Sequence, residues 1–153
     1  MSESNPPTTD GTGRISPFLD SLGVTLISRE TGQAVLQLRV DELHLRTRGI
    51  AHGGVIASLL DTAMGIAVAT KLPESCLTVT AQLNVNFIRP AWKGENLQIL
   101  GTVRHSGQTT AVAQGEIQTE SGVLVATSSG TFAFLKDPDP ASEHLVQTVD
   151  MPQ

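Results

Sequence analysis

Tyrosine is absent from this 153-residue chain, tryptophan occurs once, and aromatic residues make up 3% of it. Proteins that grip nucleic acid need stacking rings or a strongly basic face. This chain has few rings and a formal net charge of −5, so nucleic acid is not expected as a partner. A single cysteine, Cys76, allows no internal disulfide, which suits a reducing compartment. The N-terminus, MSESNPPTTDGTG, has neither a basic start nor an apolar run, so no signal peptide is expected. The one stretch that approaches membrane-span length, 53–70, is interrupted by Ser58, Asp61 and Thr62, and reads as a buried helix rather than a span. A cytoplasmic protein without a membrane partner is the expectation.

Several chemistries are missing as well. There is no G-x-S-x-G nucleophile elbow, no C-x-x-C, no Walker A loop and no Rossmann glycine pattern. His44, His52, His105 and His144 are not spaced as metal ligands, so neither a metal nor a separate cofactor is expected. With no serine or cysteine poised as a nucleophile, water activated by a carboxylate remains.

The charge that is present is unevenly spread. Segments 1–13 and 137–153 contain acids and no base, whereas 14–136 carries ten bases against nine acids. Both ends are rich in Pro, Ser and Thr and gather no apolar face. The expected organisation is a disordered tail over 1–13, one domain over 14–136 and a disordered acidic tail over 137–153.

Within the domain, Ser16–Leu22 reads as a short helix with Ser16 as N-cap, Pro17 at its first position and Gly23 ending it. Val24–Ser28 and Gln33–Val40 read as strands around a Thr31-Gly32 turn, with Ala34, Leu36, Leu38 and Val40 on one face. A polar, basic loop, DELHLRTRG, follows. Gly53-Gly54 then open a long helix, Val55 to Lys71, apolar on nearly all sides and stopped by Pro73. Residues 77–87 alternate strictly, with Leu77, Val79, Ala81, Leu83, Val85 and Phe87 on one face. Three more strands, Asn96–Arg104, Thr109–Thr119 and Val123–Leu135, are joined by turns at His105–Gln108 and Glu120–Gly122. Strand runs broken by one apolar helix predict an α+β fold, an antiparallel sheet wrapped around that helix.

Asp61 is the only charge in residues 51–70. A buried carboxylate is costly unless it is paired or its pKa rises. Gly53-Gly54 lie where a helix leaves its first N–H groups without partners and positively polarised, a setting that suits a developing oxyanion. Asp61 follows Gly53 by eight residues, roughly 12 Å along a helix axis. One carbonyl cannot reach both on the same helix, so an active site using both requires two chains. Plainer readings stand beside this one: the Gly-Gly pair as a tight turn, Asp61 as a structural acid, His52 as a cap.

The motif His52-Gly53-Gly54-x6-Asp61-x3-Gly65, with the strand end Asn86-Phe87-Ile88-Arg89-Pro90-Ala91, resembles the hotdog-fold thioesterases, and within them the phenylacetate-pathway, PaaI-type branch. The resemblance covers about 16–135. It implies six antiparallel strands around one helix, edge-to-edge homodimers often paired into tetramers, and hydrolysis of acyl-CoA thioesters. Carried onto this chain, the Gly53 N–H would polarise the thioester carbonyl, with Gly54 beside it. Asp61 of the partner chain would be general base or nucleophile. His52 would position the thioester or its leaving sulfur, and Thr80 would hold the water. CoA would lie along Phe87, Arg89, Pro90 and Trp92 and the turn His105, Ser106, Gly107 and Gln108, with Arg89, Lys93 and Arg104 as bases for its phosphates. Trp92 has two readings, stacking on adenine or covering the sheet edge. One departure stands out: many relatives carry Asn six residues before the motif histidine, and here that residue is Arg46. Its guanidinium can donate to the carbonyl, pair with Asp61 or bind anionic groups of the ligand; alternatively, His44, Arg46 and Arg48 form a solvated basic loop. The departure keeps open an acyl-CoA-binding module without fast turnover. A hotdog dehydratase would need an acid–histidine pair that is not found.

Overall fold

The computed structural model describes residues 16–73 and 75–137. The tail expected over 1–13 and nearly all of that over 137–153 lie outside those residues. Helix α1 (Pro17–Leu22) is capped as its sequence dictates: the Ser16 hydroxyl accepts from the Leu19 N–H at 3.2 Å, and Gly23 closes it at φ +73°. Strands β1 (Thr25–Glu30) and β2 (Gln33–Arg39) form a hairpin; β1 starts one residue and ends two residues later than expected, and β2 ends one residue earlier. Helix α2 (Gly53–Ala69) is followed by β3 (Cys76–Phe87), β4 (Asn96–Ser106), β5 (Thr110–Thr119) and β6 (Leu124–Lys136). The six strands make one antiparallel sheet in the order β1-β2-β4-β5-β6-β3, so β3 is a free edge.

The inner face of the sheet wraps α2. Ala34, Leu36, Leu38 and Val40 are buried together, as their alternation predicts, with Leu97, Ile99 and Ile117 from the next strands. From α2 come Ile56, Leu59, Leu60 and Ala63. The helix backbone lies directly on β4: a Cβ at Gly101 would stand 2.2 Å from the Ala63 carbonyl oxygen, so only glycine permits this approach. Burial of α2 on all sides, expected from its composition, is not found. Gly54 is exposed, and Ala57, Asp61, Thr62, Gly65 and Ala69 are only half-buried, leaving a stripe of mostly small residues that the sheet does not cover.

The strict alternation of β3 is also corrected. Thr80 pairs with Phe132 and Gln82 with Thr131, so Ala81 is an extra residue, a β-bulge that shifts the phase of the strand. Leu83 and Val85 pack toward the core. Beyond the bulge Thr78 and Thr80 take the inward positions, and Val79 is turned out, 44% exposed. A second bulge, at Arg104, interrupts the β4–β5 pairing. His105 and Ser106 belong to β4 rather than to the turn, which begins at Gly107. The basic loop contains two 3₁₀ turns, Glu42–His44 and Thr47–Gly49, and His44 within it is buried, not solvated.

Candidate active site

The two ends of interest on α2 are built differently. At its start, Gly53 and Gly54 are the first two helical residues, not a preceding turn, and His52 is the N-cap. The His52 carbonyl accepts the Val55 N–H at 3.0 Å, and its Nδ1 accepts the Gly54 N–H at 2.8 Å. A Cβ on Gly54 would meet Nδ1 at 3.0 Å, so a glycine there gives the imidazole room to cap. Because Nδ1 accepts, the neutral ring carries its hydrogen on Nε2. The Gly53 N–H has no acceptor among the described residues. It opens on a cleft of about 380 Å³ lined by Arg46, Phe87, Arg89 and Pro90, with apolar walls that include Ile50, Ile56 and Ile88. The Phe87 ring lies 3.4 Å from where a Gly53 Cβ would be.

Two turns along the helix, Asp61 opens on another groove. It is half-buried in the protomer rather than enclosed. The bulge at Ala81 brings the Thr80 hydroxyl to Asp61, where it donates to Oδ1 at 2.7 Å. Thr80, expected to hold a water, directs its hydroxyl hydrogen to the carboxylate, and both residues line the groove. Thr62 and Gly65 of α2, Thr78 and Phe132 of the sheet, and Ser16 and Leu19 of α1 complete the groove, about 290 Å³ in volume. Arg46 borders the Gly53 cleft and not this groove, so within one protomer it does not pair with Asp61.

Arg89 borders the cleft but its guanidinium is engaged. It donates to the Pro90 carbonyl at 2.7 Å and pairs with Glu95 at 2.8 Å, so it fastens the 89–95 loop instead of standing free for a phosphate. Burial alone would raise the Glu95 pKa; hydrogen bonds from Arg89 and from the Trp92 N–H, with the charge of Arg89, outweigh it and hold Glu95 below the ordinary carboxylate value. Lys93 likewise pairs with Glu42. Glu95 was not anticipated, although it is the only acid between 75 and 115 and lies six residues from Arg89. The Trp92 ring is 47% exposed beside the cleft.

Within one protomer, the segment His105, Ser106, Gly107 and Gln108 lies at the other end of the sheet from these residues. Phe87 stands level with Ile117 on β5, whereas His105 pairs with Val112. Five residues of strand, roughly 17 Å, separate the two rows. Arg104 lies on the outer face of the sheet beside Gln114 and Glu116, away from both sites.

No helix among the described residues is long and apolar enough to cross a membrane. A family profile described as the thioesterase superfamily matches residues 48–126, from the loop before α2 into β6. The chain is 32% identical over 110 residues to the acyl-coenzyme A thioesterase PaaI of Escherichia coli, covering 72% of this chain and 76% of that one. The solved structure of the E. coli PaaI protein, from the phenylacetic acid degradation operon, superposes with a TM-score of 0.74 at 29% identity, over 78% of this chain and 85% of that one. A hypothetical thioesterase of Streptococcus pneumoniae, solved with coenzyme A, gives 0.69 at 26% identity, over 74% and 86%. Those solved structures share the antiparallel sheet around one long helix described above, the hotdog fold.

Proposed function

The chain belongs to the thioesterase superfamily, and on that premise we propose that it hydrolyses acyl-CoA thioesters at a site assembled from two protomers. One observation carries the proposal: a free Gly53 N–H and a Thr80-oriented Asp61 carboxylate open on different clefts of one helix, each lacking what the other has. The free edge β3 can supply the remedy. Phe87 marks the Gly53 end of that strand and Thr80 the Asp61 end, both facing inward. Antiparallel pairing of two β3 edges about a two-fold axis at Asn84, with the bulged Ala81 left unpaired, would set Thr80 of one protomer opposite Phe87 of the other. Each Asp61 would then meet the Gly53 of the other protomer, twice per dimer. Val79, Phe87 and Ile88, exposed in the single chain, lie along that edge.

In the reaction the thioester carbonyl oxygen accepts from the Gly53 N–H, with the helix dipole behind it. Asp61 Oδ2 takes a proton from a water whose oxygen bonds to the carbonyl carbon. The oxyanion collapses, the C–S bond breaks, and the proton passes from Asp61 to the leaving CoA sulfur. His52 Nε2–H would serve as a second donor, positioning the thioester or its leaving sulfur. Asp61 acting as nucleophile through a mixed anhydride would use the same geometry. The acyl group, aromatic or of short to medium chain, would lie toward Thr62, Gly65 and Phe132. No cofactor beyond the substrate's CoA enters these steps. Pairing of two dimers and a cytoplasmic location belong to the same proposal.

Arg46 supports a second reading, an acyl-CoA-binding module with slow turnover, because a guanidinium on the Gly53 cleft can hold a carbonyl or an anion without reaction. Release of free thiol from phenylacetyl-, benzoyl- and hexanoyl-CoA by wild type and Asp61→Asn separates the two. Turnover that disappears in the variant supports hydrolysis; binding without release by wild type supports the module.

A further inference from the structure

His44 takes no part in the chemistry proposed above, yet it is the only buried histidine among the described residues, 1% exposed. Nδ1 accepts the Asp41 N–H at 2.9 Å, with the exposed Asp41 carboxylate also near it at 3.1 Å. In the neutral ring the hydrogen therefore sits on Nε2, which donates to the Leu22 carbonyl at 2.6 Å. The His44 carbonyl in turn accepts the His52 N–H at 2.7 Å. One residue thus joins three parts of the molecule. Leu22 ends α1, whose Ser16 and Leu19 wall the Asp61 groove. The chain just beyond His44 is the Arg46 loop, closed by the Leu45–Ala51 bridge and the Arg46 N–H to Ile50 carbonyl bond. His52 caps the helix end that presents Gly53.

We propose that His44 is a positioning residue, and that its Nε2 bond to Leu22 fixes the start of α2 relative to α1. The bond is independent of charge on the ring, since Nε2 donates whether or not Nδ1 is protonated; the Asp41 contact is the one that changes. A misplacement of about 1 Å at a reacting carbonyl can cost as much as a hundredfold in rate, so a residue that only holds backbone can still govern turnover. This inference rests on the thioester-hydrolase reading for its kinetic consequence but not for its structural one.

Two substitutions divide the ring's two bonds. Glutamine places its amide near the Nε2 position and keeps a donor for Leu22; asparagine reaches only the Nδ1 position and keeps an acceptor for Asp41. The experiment measures kcat and KM for thioester hydrolysis, melting temperature, and amide hydrogen exchange at His52 and Gly54, whose N–H groups are bonded to the His44 carbonyl and to His52 Nδ1, for wild type, His44→Gln and His44→Asn. The expected result is that His44→Gln stays within about threefold of wild type, while His44→Asn loses about tenfold in kcat with KM little changed and exchanges faster at His52 and Gly54. Equal kcat and equal exchange in the two variants, whatever their melting temperatures, would overturn the proposal by reducing His44 to a core filler. Should His44→Asn not fold, a tenfold loss in His44→Gln overturns it and near-wild-type turnover supports it. If wild type releases thiol from no thioester, the hydrolase reading fails, and the exchange rates alone decide the role of His44.

Discussion

The Gly53 end and the Asp61 groove share one helix, but they come from different kinds of structure. The Gly53 end is local: N-cap, free N–H and the Arg46 loop all lie within eight residues of sequence. The Asp61 groove is assembled from α1, α2, β3 and β6, and its main hydrogen bond comes from Thr80, nineteen residues away and next to the bulge at Ala81. The first can be prepared by helix physics alone. The second exists only once the sheet has closed, and in a single chain it stays open. In the proposed two-protomer site, this division would couple chemistry to association, because each half would be completed by the other protomer.

The sharpest way to break that division is to remove one half at a time. Asp61→Asn keeps shape and size but removes the base, and should lower kcat by on the order of 10²–10⁴-fold with the fold intact by circular dichroism. Gly53→Pro removes the N–H and adds a ring whose Cβ would be in ordinary contact with Phe87, at 3.4 Å, and the helix should tolerate it: position N1 accepts proline, and His52 already has the extended backbone, φ −63° and ψ 137°, that precedes proline. Its loss should be on the order of 10²–10³-fold, the effect of deleting one oxyanion donor. Refolding the two inactive variants together should return about a quarter of wild-type activity, since half the dimers would be mixed and each would hold one intact site. Mixtures as inactive as their components would show that both groups act within one chain.

The same contrast explains what the sequence disclosed. The capped α1, the buried face of β2, the long helix and four later strands were all readable, because caps and periodicity are local signals. So was the separation of Gly53 from Asp61, which follows from helix rise alone and is seen in the two clefts they border; that a second chain joins them is the proposal made above. The bulge at Ala81 was not readable: TVTAQLNV alternates without a break, and the extra residue is set by how β3 meets β6. That bulge makes Thr80 a carboxylate partner and turns Val79 outward. The partners of His44 and Arg89 were not readable for a related reason: His44 is bonded to the Leu22 carbonyl and Arg89 to Glu95, contacts made only in the folded chain.

A milder perturbation sharpens the Asp61 side. Thr80→Val keeps the β-branched shape and deletes one hydrogen bond to a charged oxygen, an interaction of roughly 1.5–3 kcal/mol before solvent exposure reduces it. Turnover should fall about tenfold, mostly in kcat, because the lost bond orients Asp61 rather than binding substrate. Thr80→Ser, which restores the hydroxyl, should recover most of it. If valine and serine behave alike, the 2.7 Å contact has no part in the chemistry.

The smallest effect belongs to the Gly53 side and is read by stability, not rate. Glu95 is held below the ordinary carboxylate pKa by Arg89 and the Trp92 N–H, which together tie down the loop beneath the cleft. A carboxylate with a depressed folded-state pKa binds fewer protons folded than unfolded. Its contribution is therefore present above the unfolded value, near 4.5, and is lost as pH falls through the lower folded value. Glu95→Gln removes the charge at every pH. Because both partners are about a quarter exposed, the difference at neutral pH should be modest, about 1 kcal/mol or 2–4 °C in Tm. Thermal melts of wild type and Glu95→Gln should converge as the solution is acidified from pH 6 to about pH 3. A constant gap across that range would mean that the Arg89–Glu95 pair adds nothing through its charge, and that the loop is held by the Pro90 carbonyl and its backbone bonds alone.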